Sequence, residues 1–133
     1  MKSLKDLLVP RDSVFDRSRR DVVLDLTDLV GETPVDGDAF FAENYITQGM
    51  RQLYEGVFKR LEGASGQDGV FRLTQSMGGG KTHNMFAIGL LAKYAEHRQP
   101  VMGSHYETSF KGAAELVAFS GRERPEIGIW GFI

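Results

Sequence analysis

Midway along the chain stands the run Gln75-Ser-Met-Gly-Gly-Gly-Lys-Thr-His83. Consecutive glycines let the backbone approach a ligand closely and take dihedral angles that other residues avoid. Their amides can then converge into a nest for an anion. Lys81, directly after them, brings a mobile positive charge. The hydroxyl of Thr82 is a hard oxygen of the kind Mg²⁺ accepts. A helix starting here would add its unpaired first-turn N–H groups and the positive end of its dipole. These residue types in this order suit the triphosphate of a nucleotide, with ATP and Mg²⁺ as expected cofactors. Gly78, Gly79, Gly80, Lys81 and Thr82 are the candidate binding residues, Lys81 also the candidate catalytic one and Thr82 the candidate metal ligand.

One position departs from the G-x-x-x-x-G-K-[ST] pattern, because its first glycine falls on Gln75. That glycine eases the turn out of a preceding strand, and Gly78 with Gly79 supplies flexibility further on, so the run is a variant loop. Gly-Gly-Gly-Lys-[Ser/Thr] arises by chance about once in 10⁵ starting positions at this chain's glycine usage and otherwise average composition. Over a chain of this length that is on the order of one in a thousand.

The flanking elements must position the loop. Val70-Phe-Arg-Leu-Thr74 has the β-branched and aromatic content of a strand, and the residues from His83 to about His97 carry a helical pattern, apolar on several sides. Strand, glycine loop and helix in that order predict an α/β fold. It would be a partial P-loop NTPase, a parallel sheet with flanking helices, preceded by an N-terminal helical segment and incomplete as a domain. Residues 1–66 would form the helical segment packing on the core, and 67–133 the first, truncated part of the core itself. A helix that buries apolar residues on most sides fits between a sheet and other helices.

Within the first segment Met50, Leu53, Tyr54, Val57, Phe58 and Leu61 make one helical stripe, with Thr47 as N-cap and Gly63 just past the end. Asp38 would cap a shorter turn through Asn44. Asp21 to Val30 reads as a short strand running into a turn, 31–38 as a loop, and 63–69 as a flexible connection. A loop containing Pro100 would follow the second helix, and Ala113 to Phe119 fits either a strand or a helix end.

Composition narrows the classes of function. The chain has 133 residues, 41% hydrophobic and 26% charged, with net charge −2 and acids and bases mixed throughout. That gives no overall field to draw nucleic acid or an anionic membrane. The Asp16–Asp21 stretch holds three arginines, but its aspartates make it a solvated face. Without cysteine there are no disulfides, thiolate zinc sites or cysteine nucleophiles. His83, His97 and His105 have no metal-site spacing. The charged start lacks a signal peptide's apolar stretch, and no run approaches the roughly 20 apolar residues of a membrane span. A cytoplasmic location is expected.

Gln75 to His83, together with Phe40-Phe-Ala-Glu-Asn-Tyr-Ile-Thr-Gln-Gly-Met50 and Ser120-Gly-Arg-Glu-Arg-Pro125, resembles the prokaryotic ATPase family called domain of unknown function 499. The likeness covers nearly the whole chain but only the N-terminal part of proteins several times longer. It implies an AAA-like ATPase acting in phage defence, encoded beside DNA methyltransferases and helicases as partners. It implies that Gln75 is a family feature, and it adds His83 to the binding residues.

An ATPase also needs an acid at the end of a second apolar strand. Val22-Val-Leu-Asp25 has that look but precedes the loop by about fifty residues, and Leu116-Val-Ala-Phe119 runs into Ser120 with Glu123 further on. The acid is therefore expected beyond Ile133. Arg122 and Arg124 are open to two readings, a transition-state contact at a subunit boundary or a charged loop. The final run Ile127-Gly-Ile-Trp-Gly-Phe-Ile133 ends apolar, as a fragment would. Two alternatives stand beside ATP binding as part of an ATPase: a non-catalytic, nucleotide-responsive interaction module, and a truncated product without function.

Overall fold

α3 (Gln48–Leu61) is the element its sequence dictates most fully. The Thr47 hydroxyl accepts the N–H of Met50 at 3.3 Å and caps the first turn. At the other end Gly63 takes φ 78°, its N–H on the Arg60 carbonyl and that of Ala64 on Lys59. That is the reversal by which a glycine closes a helix. Most of the predicted stripe faces inward, with Tyr54 and Phe58 completely buried, while Leu61 at its end is 39% exposed.

The structure, a computed structural model, describes residues 3–10, 12–16, 24–74, 76, 78–103, 106–119, 126 and 128–131. Besides α3 these form α1 (Leu4–Leu7), α2 (Gly37–Ala42), α4 (Lys81–Lys93) and α5 (Arg98–Met102). Single 3₁₀ turns lie at Asp12–Val14, Leu26–Leu29, Ala95–His97 and Ile129–Gly131.

The expected α/β architecture is overturned. Among the described residues there is no strand and therefore no parallel sheet. Val70 to Thr74 runs as chain without a strand partner, and Val70 is 85% exposed. Its composition suits a pleated surface, but a strand exists only through the partner that pairs its N–H and C=O groups. α4 is indeed covered on most sides, by other elements than a sheet. On one flank Ala87 and Leu91 pack with Tyr54 and Phe58 of α3 and with Val101 and Met102 of α5. On another, Phe86 and Leu90 pack with Leu29 of the 3₁₀ turn. An all-round apolar pattern shows that a helix is covered and leaves open what covers it. Gly89 permits the close approach of that turn, since a Cβ there would lie 2.6 Å from Leu29 Cδ1. Phe40 and Phe41 of α2 pack against both clusters and join them.

Other local expectations are corrected by short-range hydrogen bonds. Of the strand expected over 21–30, residues 21–23 lie outside the described ones. Asp25 accepts the Thr27 N–H at 2.9 Å and hydroxyl at 2.8 Å, and so caps the 3₁₀ turn. α2 is capped by Asp36, which accepts the Ala39 N–H at 2.9 Å, and not by Asp38. The helix expected to reach His97 ends at Lys93. Pro100 lies inside α5, in a first turn where its missing N–H costs no intrahelical bond. Residues 113–119 are neither strand nor helix; Ala114 donates to the Ala92 carbonyl at 2.9 Å and Leu116 packs on the Leu29 cluster.

Candidate functional site

The glycine run forms a tight turn that delivers the chain into α4. Gly78 and Gly80 both lie in the left-handed region, at φ 82° and 71°. A Cβ would meet open space at Gly78 and only an ordinary contact with Asn84 at Gly80, so the dihedral angles, not crowding, require glycine there. Gly79 donates its N–H to the Ser76 carbonyl at 3.1 Å, closing the turn. The Lys81 ammonium folds back onto the same carbonyl at 2.9 Å. One oxygen thus collects a backbone amide and a side-chain cation, the two donor types a phosphate oxygen would attract.

α4 begins at Lys81, two residues earlier than its apolar pattern shows, and Gly80 at its N-cap supplies no side-chain cap. The dipole's positive end therefore stands where the loop delivers the chain. Thr82 lies exposed in the same first turn. Gln75 and Met77 lie outside the described residues, as do His105, Arg122, Arg124 and Ser120.

Asn84 is a residue that motif reasoning missed. Both its backbone N–H and its side-chain Nδ2 donate to the Gly80 carbonyl at 2.9 Å, fixing the last loop residue from within α4. Its Oδ1 accepts from the Tyr54 hydroxyl at 3.5 Å, a long bond that reaches α3. Burial pushes the Tyr54 pKa up to about 12, so the hydroxyl keeps its proton at any working pH. A polar residue on an otherwise buried helix, four after a glycine, was the available signal.

His83 stacks on Phe40 with ring centroids 4.8 Å apart and planes 25° from parallel. Burial pushes its pKa below the ordinary 6.5. Near neutral pH the ring is therefore uncharged and adds no positive charge to the loop. The folded pKa lies below the unfolded one. Above about pH 6.5 both states are neutral, and below it the unfolded chain takes the proton more readily. Stability should fall as pH drops from 6.5 toward 5, with a shallower fall in His83→Gln. Urea midpoints at pH 7.5 and 5.5 check this, and equal slopes for the two proteins would refute it.

Beside the loop opens a cleft of about 610 Å³. Gly78, Gly79, Gly80, His83 and Asn84 line one side; Thr47, Gly49, Met50 and Leu53 at the start of α3, with Tyr45 and Leu73, line the rest. A second cavity of about 690 Å³, by Arg98, Tyr106 and Phe110, contains none of the residues singled out from sequence.

The fold and site define a helical domain carrying a glycine–lysine turn at the head of a buried helix. The family model of the DUF499 N-terminal domain matches residues 2–117, and the chain belongs to that family. Two of the three segments that carried the resemblance, 40–50 and 75–83, fall within the match, and 120–125 lies beyond it. No curated protein and no solved structure matches the chain. Among the described residues no helix is long and apolar enough to cross a membrane.

Proposed function

We propose that this domain binds Mg·ATP through residues 76–82 at the head of α4. The observation that carries the reading is the turn itself. Two left-handed glycines place an ammonium group and the uncapped start of a 13-residue helix together, with Lys81 Nζ 2.9 Å from a carbonyl oxygen. In use, the backbone N–H groups and Lys81 would hold the β- and γ-phosphates, and Asn84 would keep Gly80 in place. Mg²⁺, which neutralises developing charge during phosphoryl transfer, would be held by the Thr82 hydroxyl together with phosphate oxygens.

The wider role, as the N-terminal part of an AAA-like ATPase working in phage defence alongside DNA methyltransferase and helicase partners, rests on the family resemblance. Binding without turnover is what this chain alone should give, since the acid that an ATPase also needs is expected elsewhere. That also fits the alternative in which the domain is a nucleotide-responsive module.

Thermal unfolding with and without Mg·ATP tests the proposal. Ligand at a hundred times its dissociation constant stabilises a folded protein by about 2.7 kcal/mol, so the Tm should rise by several degrees. AMP, which lacks the outer phosphates, should give a much smaller rise. An unchanged Tm at millimolar Mg·ATP would reject the reading.

A further inference from the structure

The cleft beside the loop extends past what a chain of phosphates would use, and its far wall is not built for anions. Met50, Leu53 and Leu73 supply apolar surface there and Tyr45 an aromatic ring, 87% exposed. No Lys, Arg, Asp or Glu belongs to the lining among the described residues. An inorganic anion or an acidic peptide gains nothing from such a wall. An uncharged heteroaromatic ring gains apolar contact and stacking. The volume, about 610 Å³, lies in the range of small-molecule sites. Two of the polar side chains that border it are engaged within the fold: the Thr47 hydroxyl caps α3, and Asn84 bonds Gly80 and Tyr54.

Gly49 adds an independent observation. It stands in the first turn of α3 and lines the cleft, and a Cβ built on it meets nothing within 4 Å. Glycine weakens a helix relative to alanine. No neighbour in the fold requires its small size, whereas a ligand in the cleft would.

We infer that this cleft holds the nucleoside of the same ligand, its base packed against Met50, Leu53 and Leu73 and given room by Gly49. α3 would then select a nucleotide over a bare polyphosphate. The inference rests on the phosphate-binding reading of the loop and adds to it the ligand's other half.

Calorimetric titration of the whole chain with Mg·ATP and with magnesium triphosphate separates the two. Wild type should bind ATP at least tenfold more tightly than inorganic triphosphate. Gly49→Trp, whose side chain would project into the cleft, should weaken ATP binding at least tenfold and leave triphosphate affinity unchanged. That unchanged affinity also shows that the loop and fold are intact. Tyr45→Ser should weaken ATP several-fold with the same indifference toward triphosphate. Equal wild-type affinities, or a Gly49→Trp protein that loses both ligands together or neither, overturn the inference while the loop reading survives. A wild-type chain that binds neither ligand overturns both.

Discussion

Arg98→Met should cost about 3 kcal/mol of folding stability, the largest loss expected from a single polar substitution among the described residues. Arg98 is only 5% exposed and spends its guanidinium on four carbonyl oxygens. Nε donates to Leu91 at 2.7 Å and one terminal nitrogen to Ala92 at 3.1 Å. These are among the last carbonyls of α4, which have no partner within their own helix. The same side chain reaches Phe110 at 2.6 Å and Gly112 at 2.7 Å, and lies 5.1 and 4.8 Å from the ring centroids of Phe58 and Phe110. It caps one helix, places a cation at the negative end of that helix's dipole, and ties the 110–112 segment to the core. Burial lowers its pKa and the Glu96 carboxylate opposes that, yet a guanidinium stays charged in proteins.

Methionine fills similar space and removes the guanidinium donors from all four carbonyls, of which Ala92 keeps the Ala114 N–H. Arg98→Lys should recover part of the loss, since one ammonium cannot reproduce a planar fork reaching oxygens on two sides. Urea unfolding checks both. A loss under 1 kcal/mol for Arg98→Met, or Lys performing as well as Arg, would mean that solvent or loop rearrangement replaces the clamp.

Arg98 also shows where sequence reasoning runs out. α3 was legible in full because its signals are local: a threonine, a 3.6-residue stripe and a glycine, all within seventeen residues. The glycine turn was legible because its residues are contiguous. Arg98 acts on carbonyls up to fourteen positions away, and its partners are backbone atoms that any residue type supplies. The sheet failed for the opposite reason. Val70 to Thr74 has strand-forming residues, but pairing is a property of two segments, and α4 takes its cover from α3 and a 3₁₀ turn. The inference from motif to fold was the weak step, since the loop's local geometry needs only a turn and a helix start.

Lys81→Ala should weaken Mg·ATP binding by about 30- to 150-fold, about 2–3 kcal/mol, while changing folding stability by no more than about 0.5 kcal/mol. The asymmetry follows from where the ammonium sits. Its bond to the Ser76 carbonyl is solvent-exposed, so water replaces it at little cost when the side chain is removed. Against an oligophosphate the same group meets full negative charge close to a helix start, and its hydrogen bonds become charge-assisted at both ends. The turn has ties besides the lysine. Gly79 N–H still closes onto Ser76, and Asn84 still holds Gly80. Lys81→Arg keeps the charge but carries a wider, planar head, and should fall between the two. Raising salt should weaken wild type more steeply than Lys81→Ala, because screening acts on the charge the variant lacks. Titration calorimetry at two ionic strengths, with urea unfolding alongside, gives all of these quantities. If Lys81→Ala bound Mg·ATP as tightly as wild type, the ammonium would be no more than a fastener of its own loop.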